Sequence, residues 1–340
     1  MKKSILMLIL VAIQAPSTLA IVAGGKPTRP VSTYSIVARD PVTGELGVAV
    51  QSHWFSVGAV VPWVEAGVGA VATQSLTEVT YGPLGLTLMR AGKTSNQALQ
   101  ALLRADENPQ WRQVGMIDAA GNRAVHTGRK CIREAGHVSG ENFIVMANLM
   151  QHDSVWEAMA EAFRDTTAID LTDRMLNALE AAQSHGGDIR GRRSAAIVVV
   201  TGTPTGAPYR DKLIDLRVED HPQPVAELRR LVTLNRAYNA MNLGDEKLAL
   251  RDVDGALEAY QSALELAPEI VEIEFWVSVT LFSAGYEDDA LEHFKRVFEK
   301  ERIWMEVVRR LPKADLLVND NGQVERILSV MALPPETSDQ

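Results

Sequence analysis

Short apolar, β-branched runs broken by turn-forming residues dominate the first two thirds of the chain, and helical spacing dominates the last third. Residues 33–38 and 46–51 are β-rich, and Asp40-Pro41-Val42-Thr43-Gly44-Glu45 between them predicts a hairpin. Runs at 57–64 and 68–73, joined through Glu65-Ala66-Gly67, predict two more strands before any helix. Helical periodicity then appears at 85–90 and 96–104, with Gly92 placed to end the first helix and Ser95 to cap the second. A hairpin is expected over 113–118 and 123–127 around Ala120-Gly121-Asn122, followed by a strand at 143–147. Helices are expected at 155–163 and 171–183, the second stopped by His185-Gly186-Gly187, and strands at 195–200 and 214–218. Strands, two helices, strands, two helices, strands is the order of an α+β sandwich with helices outside two packed sheets, not of a doubly wound fold.

From about residue 221 the pattern becomes continuous helix. Gly244, Ala256, Tyr260, Ala263 and Pro268 stand at offsets 0, 12, 16, 19 and 24, and adding 34 to Ala256 and Tyr260 reaches Ala290 and Phe294. A small residue where two antiparallel helices touch, with an aromatic filling the next gap, is the packing logic of a helical hairpin repeat. The spacing resembles the tetratricopeptide family over two units, the second carrying Ser278 and Val297 at the Gly and second Ala positions. Residues 299–310 could supply a closing helix.

Composition changes this picture little: 340 residues, 46% hydrophobic and 23% charged, suit two globular parts. A net charge of −9 gives no basic face for nucleic acid. Met1-Lys2-Lys3, the apolar stretch to Ile13 and the small residues up to Ala20 predict a secretory signal over 1–20. That apolar run is too short to span a bilayer, and nothing later reaches spanning length. The expected location is therefore exported, periplasmic or extracellular, with no membrane span after signal removal. Residues 21–32, rich in Gly and Pro, read as a linker or propeptide, and 334–340 as a disordered tail. Cys131 is the sole cysteine, so no internal disulfide can form.

Several motifs carry no weight. Ile21-Val22-Ala23-Gly24-Gly25 looks like an activated trypsin-like N-terminus, but no Gly-Asp-Ser-Gly follows. Gly67, Gly69 and Ala72 fall inside a strand pattern rather than at a strand-to-helix turn, which disfavours a dinucleotide site. The histidines lack metal-ligand spacing, there is no Gly-x-Ser-x-Gly elbow or phosphate loop, and no metal or organic cofactor is demanded.

What remains is a set of longer motifs: Ser32-Thr33-Tyr34-Ser35-Ile36-Val37-Ala38-Arg39-Asp40, Gly47-Val48-Ala49-Val50-Gln51-Ser52, Val57-Gly58-Ala59-Val60-Val61-Pro62-Trp63, Gly67-Val68-Gly69-Ala70-Val71-Ala72-Thr73-Gln74 and Gly186-Gly187-Asp188-Ile189-Arg190-Gly191. Together they resemble an uncharacterised bacterial and archaeal family, domain of unknown function ten twenty-eight, placed in the Ntn-hydrolase superfamily. The resemblance covers about residues 33–231. It implies a four-layer αββα sandwich over 33–231, followed by the all-α tetratricopeptide-like segment at 236–331.

The superfamily's chemistry uses an N-terminal Thr, Ser or Cys as nucleophile and its own α-amine as general base. The matching residue is Thr33, with Ser35 and Thr77 as weaker candidates. By analogy of position, Gln74 or Ser75 would supply oxyanion donors, Asp188 and Arg190 would orient the amine or hold a substrate carboxylate, and Asn148 would be a further polar contact. The implied function is an exported hydrolase of amide or peptide bonds, active once Ser32-Thr33 is cut. The competing reading is a non-catalytic periplasmic binding or scaffold protein that receives a peptide or protein partner on the helical repeats.

Overall fold

The structure is a computed structural model that describes residues 31–165, 169–317 and 322–331. The expected signal peptide, residues 21–30 of the linker and the expected tail lie outside the described residues.

The first hairpin pairs β1 (Thr33–Arg39) with β2 (Leu46–Ser52), in a register that sets Thr33 opposite Ser52 and Arg39 opposite Leu46. This hairpin is the centre of a six-stranded antiparallel sheet. On one side β2 pairs with β9 (Ser194–Val200), which pairs with β10 (Lys212–Val218). On the other, β1 pairs with β8 (Phe143–Ala147), which pairs with β7 (Gly136–Gly140). A second antiparallel sheet runs in the order β3 (Pro62–Glu65), β4 (Gly69–Ser75), β5 (Arg112–Asp118), β6 (Arg123–Thr127).

The two sheets pack face to face, and each has helices on its outer face. α1 (Tyr81–Arg90) and α2 (Ser95–Ala105) cover the four-stranded sheet; α3 (Val155–Arg164), α4 (Leu171–Ser184) and the start of α5 (Pro224–Ala249) cover the six-stranded one. Both faces of the central strands are therefore buried, which is why β1 and β9 read as nearly continuous apolar runs. Tyr34, Ile36 and Ala38 face the helices, while Val37, Val48 and Val50 meet Ala70, Ala72, Ile144 and Met146 between the sheets.

Two local expectations need correction, and one strand was not expected. Residues 57–64 do not form one strand: Val57–Ala59 is a 3-10 turn entered through Ser56 at φ 54°, and pairing starts only at Pro62. A Cβ on Gly58 would sit 2.7 Å from the Ala196 side chain, so this turn lies tightly against β9. The cap of α2 is Thr94, not Ser95; its hydroxyl accepts from Gln97 N while the Gln97 side chain accepts from Thr94 N, a reciprocal capping box. β7 gave no strand signal because two of its five residues are glycines, each pressed against an aromatic ring, Gly136 on Trp156 and Gly140 on Phe143.

The helix α5 is unbroken across residues 231–236. Its first half inserts Val225, Leu228 and Val232 into the core above the six-stranded sheet, and its second half belongs to a separate helical core. Arg229 bonds Glu180, Asp173 and Asn177, and Arg236 bonds Asp170 and Asp173, clamping α5 to α4. Beyond it come α6 (Val253–Leu266), α7 (Val271–Ser283), α8 (Glu287–Lys300), α9 (Ile303–Arg310) and α10 (Gln323–Leu328). α5 packs on α6 and α7 on α8. Gly244 lies under the Tyr260 ring, and Ala256, Ala263, Ala290, Phe294 and Val297 are fully buried. No helix among the described residues is long and apolar enough to cross a membrane.

Candidate active site

The interior between the sheets is apolar along most of its length and becomes polar at one end. Continuing the alternation of Val37, Val50, Ala72 and Met146, the next residues facing inward are Ser35 and Thr33 on β1, Ser52 on β2, Gln74 on β4 and Asn148 after β8, with Gln113 on β5 opposite Gln74. All six are fully buried. Strand periodicity thus brings residues spread over 116 positions of sequence into one seam.

Their hydrogen bonds show which are committed to structure. Gln74 Nε2 donates to the Gln113 carbonyl at 2.7 Å and to the backbone oxygens of Thr33 and Met146 at 3.2 Å, while Gln74 Oε1 accepts from Ser35. Gln113 Nε2 in turn reaches Ala147 O, Gly136 O and Thr127 Oγ1. Gln74 and Gln113 therefore stitch the two sheets together. Asn148 contributes its backbone N–H to Thr33 O at 3.1 Å and its amide to Gln113 Oε1 at 2.9 Å.

A different set surrounds the peptide bond between Ser32 and Thr33. The Ser32 carbonyl oxygen accepts from Ser52 Oγ at 2.5 Å and from Arg190 Nη2 at 3.0 Å. Arg190 is held by Asp188 through two contacts, at 2.6 and 3.0 Å, and Asp188 is buried beside the backbone N–H of His53. The Thr33 hydroxyl lies 2.8 Å from Val31 O and 3.2 Å from Ser52 Oγ. Val31 and Ser75 exchange backbone hydrogen bonds, which anchors the segment before Thr33 to the end of β4. Ser75 holds φ at 71°, a left-handed conformation costly for a non-glycine residue. Thr77 lies outside the seam, its hydroxyl 3.4 Å from Ser75 O.

Buried polar side-chain atoms almost always find partners. Seven lack one among the described residues; four of these, on Ser32, His53, Ser75 and Asn148, belong to residues around the start of β1, and two more are on Gln51, which pairs with Tyr34 on the helix-covered face of the sheet. The structure thus gathers Thr33, Gln74, Ser75, Asn148, Asp188 and Arg190 at one end of the sandwich. Sequence reasoning passed over Ser52 and Gln113. The hairpin register alone could have found Ser52, because closing the strands about the turn at 40–45 pairs Arg39 with Leu46 and so sets Ser52 across from Thr33. Gln113 had no such signal. Among the described residues no group of His, Cys, Asp and Glu could hold a metal ion.

Comparison with known proteins adds to this geometry. No curated protein matches the chain. The crystal structure of SPO2555 from Silicibacter pomeroyi, itself assigned to DUF1028, is similar at 30% identity and a TM-score of 0.52, over 59% of this chain and 88% of that one. Anbu, an ancestral β-subunit from Yersinia bercovieri, is matched at 12% identity and a TM-score of 0.30, over 58% of this chain and 92% of its own. The family described as a family of unknown function (DUF1028) matches residues 33–228, and the chain belongs to it.

Proposed function

We infer that this protein is an exported Ntn-type hydrolase of amide or peptide bonds, with Thr33 as nucleophile after removal of the residues before it. The reading is supported by the order of layers, helices outside two antiparallel sheets, and by the start of the central strand at Thr33. The observation that carries it is the Ser32 carbonyl, which lies between the Ser52 hydroxyl and the Arg190 guanidinium, next to the Thr33 hydroxyl.

Those two donors sit where negative charge would develop if Thr33 Oγ attacked the Ser32 carbonyl carbon. Attack forms the C–O bond; collapse breaks the bond to Thr33 N, which takes the proton lost by the hydroxyl and leaves an ester. Water then hydrolyses the ester, freeing the Ser32 carboxylate and restoring the Thr33 hydroxyl beside the already free amine. An α-amine with a pKa near 8 can accept the hydroxyl proton at neutral pH, so the same Thr33 becomes a self-contained nucleophile and base. A substrate carbonyl would take the place of the Ser32 carbonyl, on the same donors. Asp188 serves by fixing Arg190, and Gln74 and Asn148 by fixing the Thr33 main chain.

Intact-mass measurement tests this directly. The purified exported protein is expected to begin at Thr33 and to react with a hydroxyl-directed covalent probe, whereas Thr33→Ala keeps its upstream residues and stays unlabelled. Probe-reactive wild-type protein that still carries residues before Thr33 would sink the mechanism.

The second reading, a binding or scaffold protein built on tetratricopeptide-like repeats, draws support from the Gly244 to Tyr260 contact and from a hollow of about 480 Å³ bordered by Leu257, Gln261, Leu264 and Leu281, wide enough for a peptide side chain or two. Full function of the Thr33→Ala protein in its host would favour this reading over turnover.

A further inference from the structure

A cavity of about 590 Å³ lies at the other end of β1, roughly 20 Å from Thr33 at the usual rise per strand residue. It is lined by three arginines, Arg39, Arg164 and Arg174, with Phe143 and Val42 among its apolar walls. Among the described residues none of the three makes an ion pair.

Arg174 is the most telling. It is 9% exposed, its guanidinium lies 4.0 Å from the Phe163 ring centre, and its Nε and Nη2 share one long contact to Phe163 O at 3.4 and 3.3 Å. A guanidinium has five N–H donors, so most of its capacity is unused. Arg164 stacks over Phe143 at 5.3 Å, and Arg39 is held through Nε by Ala119 O at 2.9 Å. Aromatic stacking and these single anchors fix the orientation of the guanidinium groups without neutralising them.

The acids in the cavity set the ligand's charge. Asp40 and Glu141 also line it, and Asp40 Oδ1 already accepts from the backbone of Val42 and Thr43 at 2.8 and 2.9 Å. Three positive and two negative side chains leave room for one further negative charge and oppose a second. A planar carboxylate matches the fork of an arginine with two parallel hydrogen bonds. The exposed Val42, next to Pro41 in the lining, offers apolar surface to whatever carries it.

We propose that this cavity is a binding site for a small organic monocarboxylate with an apolar body, separate from the Thr33 seam. Calorimetric titration of the full chain at fixed ionic strength tests it, with benzoate, its neutral isostere benzamide, and inorganic phosphate as probes. Benzoate is expected to bind saturably, one per chain, at least about tenfold more tightly than benzamide, because the fork discriminates charge. Arg164→Gln, an exposed position, should weaken benzoate at least about tenfold by the loss of a charge-assisted hydrogen bond. Arg174→Lys, which keeps the charge but loses the fork, should weaken it too, with its melting temperature measured alongside. Thr33→Ala should leave benzoate binding unchanged. Unsaturable benzoate binding, equal binding of benzamide, tighter binding of phosphate, full affinity in Arg164→Gln, or loss in Thr33→Ala would each overturn the proposal.

Discussion

The sandwich and the helical region both bury polar groups, but they treat them differently. In the helical region Glu274, 6% exposed, is met by two cations and a histidine: Arg296 Nε at 2.6 Å, Lys300 Nζ at 3.4 Å and His293 Nδ1 at 3.2 Å. Burial pulls its pKa up, yet the hydrogen bonds from His293 and Arg296 and the charges of Arg296 and Lys300 outweigh that and bring it down to about 2. This is a saturated cluster that ties α7 to α8. At the start of β1 the buried groups are mostly neutral, and four side-chain atoms, on Ser32, His53, Ser75 and Asn148, are left without a partner among the described residues. Saturation marks a site built for stability; unspent donors and acceptors around a nucleophile mark one built to meet something else.

Substitutions can break this contrast, and the largest effect is expected at Ser52. Ser52→Ala removes one of the two donors on the Ser32 carbonyl, and losing one oxyanion donor typically costs about 10²–10³ in rate. Release of the segment before Thr33, followed by mass spectrometry over time, should slow by that factor while the melting temperature stays near wild type. A normal rate would mean that Ser52 only supports the backbone. Next in size is Gly244→Ala. The added Cβ would stand 2.2 Å from the Tyr260 ring, and overpacking of this kind costs about 1–3 kcal/mol, measurable by urea denaturation, with processing at Thr33 unaffected.

The smallest effect is expected from Glu274→Gln. Its cationic partners are half exposed and return easily to water, so about 1 kcal/mol is expected rather than the cost of a fully buried pair. The pH dependence follows from the depressed pKa. The carboxylate's contribution is complete above the unfolded value near 4.5 and fades as the pH falls towards about 2, because the unfolded state binds the proton first. Helicity measured by circular dichroism in moderate urea should therefore drop between pH 4.5 and 2 in the wild type, and drop less steeply in Glu274→Gln. Equal slopes would assign the acid sensitivity to another group.

Much of the sandwich was legible because its determinants are local. Turn residues such as Asp40 and Gly121, the stop at Gly186-Gly187 and the apolar run of β9 each announce an element within a few positions. The turn at Val57–Ala59 was not, because its apolar residues satisfy a strand pattern and only contact between Gly58 and Ala196 fixes its path. β7 was silent for the opposite reason, its glycines being set by contact with the rings of Trp156 and Phe143 rather than by any strand pattern. The site divides in the same way. Thr33, Asp188 and Arg190 stand out in motifs, whereas Gln113 becomes informative only when β5 is laid beside β4 and across from β1. The arginine cavity joins residues 39, 164 and 174 from a strand and two helices, and no spacing rule links them.

The unbroken helix α5 has a consequence for how this chain can vary. Because a helix turns about 100° and rises 1.5 Å with each residue, one residue inserted near its middle would swing the whole helical region around the sandwich by more than a quarter turn. The Arg229 and Arg236 clamps fix the phase of its first half and the Gly244 contact that of its second. Length changes here are tolerable only in near-whole turns, so the rod acts as a ruler and a protractor at once, and the two parts should have diverged in sequence while keeping the spacing between these anchors.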